Sequence, residues 1–153
     1  MRKKLFSVIF ILIQITWCLP QNLVGAFVFL HFRKSEHIKF HNSLMTVIDR
    51  YGPSVSLGAF TFVSTCGGDP KWLEHVKCHE YGHTFQSLML GPFYLLVVGI
   101  PSGVWCNFFE GYRNRNNVPY SRLFCESWAN RLGAKHTGID HVDQDRPTKE
   151  VSK

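Results

Sequence analysis

No two of the five cysteines are spaced CxxC, and their number is odd. Neither the disulfide framework of a small secreted domain nor a four-cysteine zinc knuckle can be read from them. Cys18, Cys66, Cys78, Cys106 and Cys125 therefore read as reduced thiols, which favours a cytoplasmic face. Acidic residues are also scarce, eleven against seventeen Lys and Arg, for a formal net charge of +6. That balance would suit an anionic partner, but the basic residues scatter and gather near the termini. No stripe of them alternates with exposed aromatics, so nucleic acid is set aside as a partner. The chain has no internal repeat and no low-complexity segment, and its 153 residues are enough for one modest core but not for two.

A long unbroken apolar run is missing as well, although apolar residues dominate two regions. "MRKKLFSVIFILIQITWCLPQNLVGAFVFLHFRK" starts with a cationic cluster and runs apolar from Leu5 to Ile13. It breaks at Gln14 and at Pro20-Gln21-Asn22, then resumes to Phe32. A cleaved signal peptide fits Arg2, Lys3 and Lys4 and a cut near Val24-Gly25-Ala26, but it would leave a mature start of "FVFLHF". A lipoprotein is disfavoured by Trp17 ahead of Cys18, where a small residue is expected. One tilted span of about 28 residues or a re-entrant hairpin remain, and both attach the chain to a lipid bilayer. The second region, "FYLLVVGIPSGVWCNFF" over 93–109, is interrupted by Gly99, Pro101, Ser102 and Gly103, too often for an ordinary span.

Between these regions the pattern predicts strands at about Ser43–Asp49 and Val55–Ser64, joined as an antiparallel hairpin through Tyr51-Gly52-Pro53-Ser54. Asp69 as N-cap and Pro70 as first helical residue open a helix expected over 71–89. "EGYRNRNNVPY" reads as a polar, basic loop. A second helix is expected over 121–132, closed by Gly133, before a charged tail from 136 to 153.

The first helix contains "KCHEYGHTFQS". Residues four apart on a helix differ by about 40° in direction, so the imidazoles of His79 and His83 can converge on one metal ion. Glu80 lies about 100° further round, where its carboxylate can take a proton from metal-activated water. Zinc held in this way keeps a position open for water and lowers its pKa toward about 7. Chance produces an HExxH motif in about 2% of chains of this composition. His37 and His41 share the four-residue spacing but fall in extended chain, which separates them. They read as solvated or interfacial histidines. His75, one turn before His79, reads as a surface histidine or one that supports a ligand from behind.

Two histidines do not complete a zinc site, so a third ligand must come from elsewhere. Glu126 in "FCESWANRLG" is the leading candidate, with Asn130 one turn on, where it can hydrogen-bond the free ring nitrogen of a ligand histidine. Alternatively, Glu126 is an exposed carboxylate on an amphipathic helix. The ligand would then be Glu110 or, in the tail, Asp140, His136 or His141. Tyr81, Tyr112, Tyr120 and Arg122 receive no role.

"HEYGHTFQSLMLGPFYLLVVGIPS" followed by "CESWANRLG" resembles a bacterial group of membrane-associated HExxH zinc metallopeptidase-like proteins. These pair HEYGHTxQS…LGPLYLL with a later ExWAN helix, and related segments occur near the ends of some Rhs-repeat proteins. The likeness covers Val55 to Gly133, about half the chain. It implies a glutamate-zincin site similar to that of thermolysin: His79, His83 and Glu126 as zinc ligands, Glu80 as general base and Asn130 as a supporting partner. The chain has Cys125-Glu126 where the group often has Thr-Glu, and Asn130 where thermolysin-like enzymes carry aspartate.

The expected architecture is α+β, a zincin-like unit over 35–135 with a β-hairpin beside the active-site helix. The membrane segment 1–34 precedes it, and the apolar segment 93–109 lies within it. Basic residues at both ends favour the cytoplasmic side for both, with the active site facing it. The expected activity is zinc-dependent hydrolysis of a peptide or protein substrate by a membrane-associated enzyme. The alternatives are a zinc-binding membrane scaffold without catalysis and a zinc hydrolase of another amide or an ester.

Overall fold

Pro70, whose ring presets a helical φ and whose missing N–H costs nothing in a first turn, opens a helix that runs to Leu90 and stops at Gly91-Pro92. The expected boundaries, 71–89, differ by one residue at each end. The computed structural model describes residues 2–50, 52–65 and 70–139. The Asp69 cap, Cys66, the Tyr51 corner and the tail from Asp140 lie outside the described residues. In chain order the elements are α1 (Arg2–Thr16), α2 (Leu19–His31), β1 (Glu36–Phe40), β2 (Ser43–Ile48), β3 (Val55–Leu57) and β4 (Phe60–Ser64). The helix from Pro70 to Leu90 is α3. After it come a 3-10 turn (Gly91–Phe93), a π-helical turn (Leu95–Gly99), α4 (Ile100–Phe108), α5 (Glu110–Asn116), a second 3-10 turn (Tyr120–Arg122) and α6 (Phe124–Thr137). The class is α+β, mainly helical, with one four-stranded mixed sheet.

The sheet corrects the expected hairpin. Its order is β1-β2-β4-β3, and β2 pairs with β4 in parallel, Leu44 opposite Phe60 and Ile48 opposite Ser64. The segment read as one strand, 55–64, folds on itself: β3 and β4 are antiparallel around Gly58-Ala59. Gly58 has φ +69°, a left-handed conformation that glycine adopts without a Cβ clash, and that breaks the strand into a two-residue hairpin. A second tight turn at His41-Asn42 joins β1 to β2.

The core lies between the sheet and α3. Met45 and Val63 meet Trp72, Val76, Tyr81 and Phe85 there, and Phe10 of α1 closes the cluster with an edge-on contact to Phe85. Each such side chain contributes about 1.5–3 kcal/mol by leaving water. α6 packs along the other side of α3. At the crossing Gly82 faces the Ala129 carbonyl so closely that a Cβ would overlap its oxygen. Only a glycine lets the two backbones come this near.

Two readings of the C-terminal half change. The stretch taken as a polar loop forms α5, with Arg113 and Arg115 in the last turn, where they oppose the helix dipole, and with Asn117 in a left-handed cap at φ +49°. α6 passes through Gly133 without stopping and ends at Gly138, φ +75°. Gly133 is buried inside the helix.

No single helix among the described residues is long and apolar enough to cross a membrane. Ser7–Thr16 and Leu19–His31 meet at 92°, and Pro70–Phe93 and Leu95–Phe108 meet at 119°. The two bends are fastened together. Gln21 donates from Nε2 to Ser87 Oγ and to the Gly91 carbonyl, both at 2.9 Å, and the Cys18 thiol donates to the Ser87 carbonyl at 3.3 Å. The four described cysteines are free thiols.

Candidate metal centre

His79 and His83 stand one turn apart on the buried face of α3, and α6 brings Glu126 against them. Glu126 Oε2 lies 3.0 Å from His79 Nε2 and 3.3 Å from His83 Nε2, and the two Nε2 atoms are 3.1 Å apart. All three residues are buried, Glu126 completely.

The opposite ring nitrogens decide what this cluster can do. The Asn130 Oδ1 atom lies 2.6 Å from His79 Nδ1, and Gln86 Oε1 lies 2.6 Å from His83 Nδ1. The Gln86 amide is oriented by its own Nε2 donating to the Cys125 carbonyl at 2.7 Å, so its oxygen must face the histidine. Both Nδ1 atoms therefore donate, which leaves each neutral ring with a lone pair on Nε2. Two lone pairs and a carboxylate oxygen within 3.3 Å of one another repel unless a cation sits among them. His79, His83 and Glu126 form a site close enough to bind a metal ion.

The charges follow from this crowding. Burial alone would push the Glu126 carboxyl up, but in the absence of a metal the positive charge and N–H donation of protonated His83 and His79 rings outweigh that and hold it well below the usual carboxylate range. Glu80 is also buried, 4% exposed, and its Oε2 has no hydrogen-bond partner. Burial pushes its carboxyl up to about 8, an effect that His79 opposes and the Glu126 charge reinforces.

An open cleft reaches this centre, with His79, Glu80 and Asn130 on its floor. Gly52, Pro53 and Ser54, the run leading into the edge strand β3, form one wall. The Tyr94 hydroxyl donates to the Ser56 carbonyl at 2.9 Å in the middle of that strand. Arg113, Asn114 and Tyr120 line another part of the cleft.

The remaining sequence candidates separate clearly. His75 lines the cleft with its ring 6.3 Å from that of His79 and nearly parallel to it, outside the three-donor cluster. Glu110 lies on the cleft and supplies no donor to the cluster. His136 stacks on Phe85 at 3.8 Å, and Asp140 and His141 lie outside the described residues. His37 has Thr46 Oγ1 at 3.1 Å, and His41 stacks on Tyr81, so neither approaches the centre. Sequence reasoning missed Gln86 and Arg113. Gln86 was within reach, since it follows His83 by three residues and so faces the same side of the helix. Arg113 gave no such signal, because its burial depends on Trp105 and Tyr120 folding over it. Comparison with protein-family models, with curated proteins and with solved structures finds no match to this chain.

Proposed function

We propose that the protein is a membrane-associated zinc metallopeptidase. The observation that carries this reading is the convergence of His79, His83 and Glu126 beside an unpartnered, buried Glu80 carboxylate at the floor of a cleft. Ligands about 2.0–2.1 Å from a tetrahedral zinc stand about 3.3 Å apart, and the donor separations here, 3.0–3.3 Å, suit that ion. Bound zinc supplies Lewis acidity toward a scissile carbonyl and a water of lowered pKa.

The chain's own residues supply the rest. Asn130 and Gln86 hold the two imidazoles in the tautomer that turns Nε2 toward the ion. Glu80 accepts the proton of the attacking water on its carboxylate and delivers it to the nitrogen of the leaving amine. An extended peptide lies along Gly52–Ser54, and the Tyr94 hydroxyl on Ser56 limits how far strand pairing can continue. The resemblance to membrane-associated HExxH proteins and a zincin-like arrangement belong to the same reading. So does the lipid bilayer as a partner, with the active site on the cytoplasmic face. Exposed Leu23, Phe27 and Leu30 on α2, with Phe93, Leu96, Ile100 and Phe108 around α4, support attachment without a straight span.

Glu80→Gln tests the enzyme reading directly, because it nearly preserves volume and removes proton transfer. The variant is expected to keep one zinc per chain while peptide release from a membrane proteome falls by about three orders of magnitude or more. Equal peptide release by wild type and variant, or release that survives a chelator, would overturn the assignment.

A further inference from the structure

Arg113 is 7% exposed, and α5 points it into the cleft that holds His79 and Glu80. One of its N–H groups donates to the Trp105 carbonyl, and its guanidinium lies over the rings of Trp105 at 5.3 Å and Tyr120 at 5.1 Å. Of the five N–H donors on an arginine, this leaves most without an acceptor among the described residues. Glu80 and Glu110 line the same cleft, but Arg113 makes no ion pair with a described residue. None of its nitrogens is both fully buried and unsatisfied, so the donors not used by Trp105 open to the cleft, where an entering ligand can engage them. The guanidinium is also rigid, with the fork fixed in a shape that fits two carboxylate oxygens.

We infer that Arg113 is a specificity residue that binds a carboxylate of the substrate, so that the preferred peptides carry a carboxylate near the scissile bond. This inference rests on the zinc-peptidase reading of the adjacent centre. The alternative is an arginine that only ties α4 to α5 through the Trp105 carbonyl. The two differ in ligand selectivity, since a purely structural arginine has no preference between a carboxylate and its amide.

The test uses zinc-loaded, full-length protein and short linear hydroxamates, whose hydroxamate end binds zinc and whose far end is either a carboxylate or a primary amide, over several chain lengths. Calorimetry on wild type is expected to show the best carboxylate binding about tenfold or more tighter than its amide. Arg113→Gln should bring that ratio close to one while leaving the amide's affinity unchanged, and Glu80→Gln should retain it. If Arg113→Gln does not fold, Arg113→Lys serves instead, and a lysine ammonium is expected to lower the ratio severalfold because it cannot reproduce the fork. Equal affinity for carboxylate and amide in wild type at every chain length would overturn the subsite and leave the zinc centre standing. A ratio that survives in the Arg113 variants would do the same. Binding of neither probe would overturn the zinc reading and the subsite with it.

Discussion

The ten residues from Cys78 to Ser87 on α3 are all buried, and they include two histidines, a glutamate, a threonine, a glutamine and a serine. On α1, α2 and the segment around α4 the distribution is reversed: Phe27 is 77% and Phe108 81% exposed, among many other apolar side chains. Each region inverts the usual rule that apolar groups lie inside and polar groups outside, and each does so for a different reason. Inside, the polar groups have specific partners: Thr84 with Ser56, Gln86 with Cys125, and Ser87 with Gln21. Glu80 Oε2 is the exception on this helix. A buried group left unsatisfied among satisfied neighbours is where chemistry is expected. Outside, the apolar groups are left uncovered by the described residues, and a second phase or a second molecule could cover them.

The sharpest way to break this contrast is to remove the one carboxylate that joins α6 to the two histidines. Glu126→Ala is expected to lower zinc affinity by more than about a hundredfold, whereas Glu110→Ala, on the same cleft but outside the cluster, should leave it unchanged. Metal emission after dialysis against a mild chelator measures both, and full occupancy in the Glu126 variant would remove that residue from the ligand set. A smaller effect is expected one bond further out. Asn130→Ala or Gln86→Ala should weaken zinc binding by about 10–100-fold, because each frees an imidazole to turn and to change tautomer. Competition against a zinc-binding dye would show this, and an unchanged constant in both variants would mean that the rings are held by packing alone.

Gly82→Ala probes the seam itself. The added methyl meets the Ala129 carbonyl and must push α6 away, which should cost about 1–3 kcal/mol in urea-melt stability. The smallest change in stability is expected on the apolar face: Phe27→Gln should stay within about 0.5 kcal/mol of wild type. The same substitution should reduce flotation with lipid vesicles, and the wild-type protein should remain with membranes through high salt and alkaline carbonate. Wild-type protein found at full length in the soluble fraction would count against the membrane partner and point to association with another protein surface.

Much of this was legible in the sequence because it depends on local chemistry. Pro70 and Gly91-Pro92 mark the ends of α3 to within a residue, and the spacing of His79 and His83 is a helical repeat whatever surrounds it. The pairing of β2 with β4 was not legible. Strands close in sequence suggest a hairpin, while the parallel pair forms because β3 turns back at Gly58 and takes the outer edge. α5 was misread for a related reason. "EGYRNRNN" looks like a solvated loop until Trp105 and Tyr120 supply the rings that bury Arg113. The near contact at Gly82 likewise exists only once α6 is in place.

The fastening of the two bends also has a consequence for the order in which the molecule is made. Gln21 leaves the ribosome 66 residues before Ser87 and 70 before Gly91, the groups it will finally bond. Through that interval the apolar helices α1 and α2 exist without the elbow that anchors them, at a time when newly made chains are most prone to aggregate. A bilayer or a chaperone that received them early would protect the nascent chain, and α3 would then be synthesised onto an N-terminal pair already sheltered.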